Sequence, residues 1–577
     1  MKGLIRLATA STLVCALAAL TACGGSDDKE HDAGGGGTLT MLAGSDVDFL
    51  DPGHTYYATG VMVALATQRP LYGFAPGDLS HPKPDMAAAP PVVSADGLTV
   101  TIRLRRGVRF SPPVDREVTS RDVAYAFERF FSANVGGPYT GYFSALVGAP
   151  AKPTNGVRRI RGIETPDTHT IVFHLTRRSP ATFLGALSLP ASAPVPEEYA
   201  KRFDASNPST YNTHVVATGP YMVRNDRAGN AVGYQPGRLI ELVRNPNWRR
   251  STDDRPAALD AIRIRTNATD TSVAARQVIA GSHMVMDGPP PPSILKRVVQ
   301  GAGDTSARIS QGGYRFLPIN TTIEPFDNVN VRKALLASFD RAAVRLARGG
   351  AATGPLATHF LPPGIAGYEE AGGQAGPGYD FLSAANAGGD PALAERYMQQ
   401  AGYPSGKYTG KEKFLLVSGN TDGDAAVAEV VQAQFAKLGF RTRLRFVPTD
   451  ALFTDWCSVP AKEVLSCASS IAWLKDFPDP EPMLRPVFDG NAISKPTDNT
   501  NYSQLDDARL NAAMAEAATL TGGARAKAWG AIDRQILADA PAVPLQWDVM
   551  TLIRSKDVKG VPNVYFDSWD LSYTSLK

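Results

Sequence analysis

The sequence predicts an α/β chain with mixed sheets, divided into more than one lobe. Strand signals of period two and helical signals alternate along the chain with no internal repeat. At 577 residues the chain is too long for one core, and length alone gives about two to four lobes. Hydrophobic residues make up 43% and charged residues 20%, the balance of a globular protein with a sizeable interior.

The N-terminus reads as an export signal. Lys2 and Arg6 form a positive n-region, Leu7 to Ala19 an apolar h-region, and Leu20-Thr21-Ala22-Cys23 a small-residue cleavage motif ending in Cys. The apolar run is too short to span a bilayer, which takes about 20 residues. Residues 1–22 are therefore expected to be a signal peptide. The tetrapeptide resembles the bacterial lipobox, which implies a lipidated Cys23 and a protein anchored to the outer face of the cell membrane. A plain signal peptide cut beside a Cys, or an uncleaved anchor, is the simpler alternative. Residues 23–37 are charged and Gly-rich, a composition that cannot order itself, so they read as a tether leading to a folded body near Thr38.

Within the body, Leu98 to Leu104 alternates apolar and polar residues and predicts a half-buried strand ended by Arg105-Arg106-Gly107. Thr119 and Asp122 have capping-box spacing, and Val123, Phe127, Phe130 and Phe131 line one face of the helix that follows, a core stripe. Further strands are expected at Thr170 to Leu175, Leu239 to Val243, Ala261 to Arg265, Tyr314 to Ile319, Phe414 to Val417 and Arg443 to Val447. Helices are expected from Val331 to Arg348 and from Ala425 to Leu438, the second stopped by Gly439. Gly148 to Asn155, Gly288 to Pro292 and Leu361 to Gly378 read as loops.

Charge and cysteine usage narrow the class. The formal net charge is +3, and two of the cations lie in the leader, which argues against a nucleic-acid partner. No later stretch is apolar enough for a membrane span. Cys15 and Cys23 belong to the leader and the cleavage motif, which leaves Cys457 and Cys467; in an oxidising compartment these are expected to pair. Two reduced thiols or half of a metal site would be the alternative, but zinc prefers closer Cys spacing and a neighbouring His. No cofactor and no metal site is expected.

Four ordered blocks carry a family resemblance. The first joins Arg69-Pro70-Leu71-Tyr72, Pro84-Asp85-Met86-Ala87, Ser94 to Ser111 and Thr119 to Phe130. The second is Thr218-Gly219-Pro220-Tyr221 with Ile240 to Trp248, and the third runs from Tyr314-Arg315-Phe316 through Pro325-Phe326-Asp327-Asn328 to Asp340-Arg341. The fourth is Ala472-Trp473-Leu474-Lys475-Asp476-Phe477-Pro478-Asp479-Pro480. In this order they resemble the extracytoplasmic solute-binding proteins of ABC importers, family 5, the oligopeptide, dipeptide and nickel-binding class. Ser111-Pro112-Pro113 and Glu324-Pro325 depart from the usual family residues, both at turns.

The resemblance implies a two-lobed periplasmic-binding-protein-like fold with an extra subdomain, a hinge and a central ligand cleft. Lobe one maps to roughly 38–313 plus 546–577, with the subdomain at about 66–214, and lobe two to roughly 314–545. Relatives hold an extended peptide through its main chain, which every peptide offers alike. By position, Asp476 would pair with the ligand's α-ammonium, Ala472, Trp473 and Leu474 would supply main-chain pairing, and Trp473 would wall a pocket. Ser45 and Asp46 would face the ligand from the opposing lobe. Ser470 stands where some tripeptide binders carry a basic residue. The plainer assignments are that Asp476 and Asp479 are turn residues and Trp473 a core residue.

The implied function is capture of extracellular oligopeptides or dipeptides by a monomeric lipoprotein, for delivery to a separate permease and ATPase. A metal chelate, sugar or opine-like solute in the same cleft is the alternative. A surface-anchored hydrolase is the least favoured class: Asp479, Glu481 and His359 form no recognisable catalytic pattern, and the chain has no G-x-S-x-G, H-E-x-x-H or Walker motif.

Overall fold

The computed structural model describes residues 36–577 except 179, 302–304, 383–385, 449–450, 470 and 495–498. The leader, Cys23 and Ser470 lie outside the described residues. Residues 35–577 form a compact unit of their own, and the apolar cores lie wholly within it, so a chain beginning at Gly36 carries the complete fold. No helix among the described residues is long and apolar enough to cross a membrane.

The apolar side chains gather into two large cores. One draws on residues from Leu39 to Ile309 and again from Leu552 to Leu576, the other on residues from Tyr314 to Trp547. In the first, a mixed sheet runs in the order Met284–Met286, Thr38–Leu42, Ala261–Arg265, Leu239–Arg244, Tyr221–Val223. Thr38–Leu42 is parallel to both of its neighbours and the remaining pairs are antiparallel. A second sheet contains Thr99–Arg103, whose Val100 and Ile102 are buried as the alternation requires. The helix Ser120–Phe130 carries the expected capping box of Thr119 and Asp122.

The second core contains a three-stranded parallel sheet in the order Arg441–Val447, Lys413–Gly419, Ser466–Cys467. Its central strand is buried from Phe414 onward, as a strand covered on both faces must be. Cys457 and Cys467 are bonded, S–S 2.11 Å, and tie the preceding loop to that sheet. One expected helix divides. Val329–Ser338 ends at Phe339, and Arg341–Arg348 starts anew because the Asp340 carboxylate accepts the Ala343 N–H at 2.8 Å and caps it.

Two long antiparallel strands, Ser306–Pro318 and Ala542–Ile553, contribute to both cores. Their register shifts between Ser310 and Tyr314, where Gly312 takes φ +59°, so the ribbon is irregular between the cores. A third strand, Ile471–Trp473, completes this sheet on the edge of Ser306–Pro318.

One residue breaks the partition. Phe477 follows the Ile471–Trp473 strand yet is fully buried in the first core, with Tyr142 edge-on at 5.0 Å. The helix Pro180–Ala186 admits it because Gly185 has no side chain; a Cβ there would come within 2.5 Å of the Phe477 ring. Charge is sequestered with comparable economy. The fully buried Arg129 guanidinium binds Asp51 at 2.6 and 2.8 Å and Asp204 at 2.7 and 2.9 Å.

Two substitutions test this packing. Arg129→Ala strands two buried carboxylates and is expected to cost about 3–5 kcal/mol in urea unfolding. Gly185→Val overpacks the Phe477 socket and is expected to cost about 1–3 kcal/mol, measured the same way.

Candidate functional site

The candidate site begins at the free edge of the Ile471–Trp473 strand. Among the described residues that strand pairs on one side only, with Trp473 opposite Tyr314, Ala472 opposite Arg315 and Ile471 opposite Phe316. Alternation sends Ile471 and Trp473 inward, whereas Ala472 and Leu474 are only half-buried. The Trp473 indole is 7% exposed and donates to the Pro482 carbonyl at 2.8 Å, so the ring belongs to the second core. What this residue offers the cleft is main chain.

Beyond the strand, Asp476 projects among tyrosines contributed by the other core. The Tyr142 hydroxyl donates to its Oδ2, and the Tyr565 hydroxyl donates to its main-chain carbonyl at 2.9 Å. Tyr56 and Tyr139 complete the wall, ring centroids 5.6 Å apart, and Tyr139 lies 6.4 Å from Tyr142. Tyr56 keeps 42% of its surface exposed although burial and the Asp476 charge hold its hydroxyl well above the usual tyrosine range. The same two causes raise Tyr139 and Tyr142, so these hydroxyls stay neutral. Burial pushes the Asp476 carboxyl up to about 6, with the Tyr142 hydrogen bond partly offsetting it.

Neighbouring acids are handled differently. Asp479 receives Arg525 through two bonds, 2.6 and 2.9 Å, and Glu481 receives the same guanidinium at 2.9 Å and the Thr182 hydroxyl. Asp567 lies 3.5 Å from the buried Lys475 ammonium, and burial raises its carboxyl to about 7. Each of these has a cation within the protein, whereas the Asp476 carboxylate is met by a tyrosine hydroxyl. An ionised carboxylate in such a wall favours a cationic ligand group.

In the first core's half of the chain, Ser45 is exposed, and Asp46 accepts from Val47 N at 2.9 Å and, across to the turn after Tyr234–Gln235, from Gly237 N at 2.6 Å. The groups bonded to the Asp476 segment are instead Tyr142 and Tyr565. Asp48 supports them indirectly: it accepts Tyr56 N at 2.6 Å and Tyr57 N at 3.0 Å and so fixes the turn that carries Tyr56. The aromatic run Tyr139 to Phe143, in a connection and off any periodic face, was the available signal for this wall; Tyr565 has none. His359 is fully buried, bonded to Asp533 at 2.9 Å and the Gly373 carbonyl at 3.1 Å, where it pins the long loop to the Gly522–Asp539 helix.

Residues 81–495 match the family described as bacterial extracellular solute-binding proteins, family 5, middle. The chain belongs to this family. Among curated relatives of this family-5 protein, heme-binding protein A of Haemophilus influenzae is 26% identical over 486 residues, 81% of this chain and 79% of the relative. The solved clavulanic acid biosynthesis oligopeptide binding protein 2 superposes with a TM-score of 0.77 at 29% identity, covering 94% of this chain and 96% of the other. DppA of Helicobacter pylori, in complex with the peptide STSA, gives 0.74 at 21% identity, over 94% and 98%. The two-lobed fold of these periplasmic binding proteins is the fold of this chain.

The raised carboxyl gives a signed prediction. A group whose folded value of about 6 exceeds its ordinary 3.8 destabilises the protein progressively as pH rises from 3.8 to 6 and throughout the range above. Asp476→Asn is therefore expected to raise the ligand-free unfolding midpoint at neutral pH by roughly one to a few degrees, with no gain below pH about 4. Thermal scans at both pH values check it; equal midpoints for mutant and parent at neutral pH would contradict the assigned environment.

Proposed function

We propose that this family-5 protein is the substrate-binding component of an ABC importer, capturing short peptides outside the cytoplasm for a separate permease and ATPase. The observation that carries the proposal is Asp476: a carboxylate with a tyrosine partner, at the end of a strand whose outer edge has no strand partner among the described residues. A peptide lying along Ala472 to Leu474 as an added strand would bring its α-ammonium to that carboxylate. Each main-chain bond contributes about 0.5–1.5 kcal/mol, so several bonds with one charge pair reach micromolar binding, about 8 kcal/mol. Ser45 and Asp46 lie in the opposing lobe's loop, and their role is to shape it.

Lobe one is assigned roughly 38–313 plus 546–577, with a subdomain at about 66–214, and lobe two roughly 314–545, the ribbon of long strands acting as hinge. Cys23 is assigned the lipid anchor that holds a monomer at the membrane. No catalytic role is assigned. A non-peptide solute is the second reading, favoured by the similarity to heme-binding protein A of Haemophilus influenzae.

The chain from Gly36, stripped of ligand by unfolding and refolding, is expected to gain a few degrees of thermal stability with pooled di- to hexapeptides. Ligand at about a hundred times its dissociation constant adds about 2.7 kcal/mol. N-acetylated peptides and Asp476→Ala are expected to abolish the gain, and affinity for free peptides is expected to fall as pH drops through about 6, where Asp476 protonates. Equal gains from free and acetylated peptides would remove the amine role, and no gain from either would favour a non-peptide solute.

A further inference from the structure

A second surface lies away from Asp476, on the outer edge of the parallel sheet in the second core. The strand Arg441–Val447 pairs only with Lys413–Gly419, so its other edge has no strand partner among the described residues. Arg441, Arg443 and Arg445 alternate along it, share one face and are all exposed. The opposite face is turned to the Asp422–Lys437 helix, where the Gln432 amide donates to Thr442 at 3.3 Å. None of the three arginines, nor Lys413 or Lys462, forms an ion pair among the described residues. The acids nearby are Glu429, which lines one hollow with Lys413 and Arg441, Glu412, whose carboxylate accepts from Tyr408, and Asp455 and Glu463 beside Trp456 and Lys462 in sequence.

Trp456 stands on the arginine face. Its ring is half-buried against the second core and has two cations over it, the Arg445 guanidinium carbon 4.2 Å from the centroid and the Lys462 ammonium 5.1 Å from it. The next residue is Cys457, and its bond to Cys467 fastens the Trp456 loop to the same sheet.

Charges on an edge strand also block pairing with other chains. That task needs no aromatic ring with cations over it. Long cationic side chains beside a tryptophan are the groups that settle at a phospholipid headgroup layer, cation to phosphate and ring to the carbonyl zone. We propose that this face docks the second lobe onto an anionic phospholipid surface, the kind of surface to which a lipidated Cys23, as proposed above, would confine the protein.

The test uses the chain from Gly36, which lacks the leader and Cys23. It is sedimented with vesicles of phosphatidylcholine alone or of phosphatidylcholine with phosphatidylglycerol. Binding is expected only to the phosphatidylglycerol vesicles and is expected to weaken with salt. At about fivefold per cation, Arg443→Ala/Arg445→Ala is expected to weaken it about 25-fold. Trp456→Ala is expected to weaken it too. The arginine variants should keep the parent's circular dichroism and unfolding midpoint; Trp456→Ala, which also removes packing against the second core, should keep the circular dichroism with a lower midpoint. The control Arg249→Ala/Arg250→Ala removes two exposed arginines of the first lobe and should bind like the parent. No binding of the parent to anionic vesicles, or equal losses in the control and the Arg443/Arg445 variant, would overturn the proposal.

Discussion

Burial of Phe477 in the core of the other lobe is the constraint around which the cleft is organised. The ring belongs by sequence to the segment leaving the Ile471–Trp473 strand, yet it packs against Tyr142 over a helix that has Gly185 beneath it. Once Phe477 is seated, its neighbours have little freedom. Asp476 must fall beside the Tyr142 and Tyr565 hydroxyls, and Glu481 must meet Thr182. An apolar contact thereby sets the position of a charge, which an ion pair alone, free to slide in water, could not do.

The electrostatics of the segment follow from how each carboxylate is compensated. Asp479 and Glu481 share Arg525, and Asp567 has Lys475, so those charges are neutralised inside the protein and serve its architecture. Asp476 has hydrogen-bond donors without a full positive charge, and the raised carboxyl is the consequence. The desolvation that makes the group costly in the free protein is what makes an incoming cation favourable.

Much of the fold was legible in the sequence because period and burial coincide. Thr99–Arg103 alternates and is half-buried, and Ser120–Phe130 is announced by its capping box. The region from Val331 to Arg348 looked continuous because its apolar periodicity runs on, while the Asp340 cap that restarts the helix is a single polar residue. Asp476 was located by its place in a family motif. The tyrosines around it were not, since Tyr56, Tyr142 and Tyr565 come from three connections with no periodicity to join them. The inward turn of Trp473 follows from simple alternation with Ala472, which outweighs the expectation that a large aromatic in a binding motif lines the pocket.

The ribbon of Ser306–Pro318 and Ala542–Ile553 has a mechanical consequence. In the hinge role proposed for it, it would carry bending between the lobes, with its irregular stretch from Ser310 to Tyr314 as the compliant part of the spring. The strand ending in Trp473 is hydrogen-bonded at the margin of that stretch, opposite Tyr314. An extended molecule laid along the free edge would widen the same sheet by one more strand, so the cargo itself becomes a splint that stiffens the element on which opening depends.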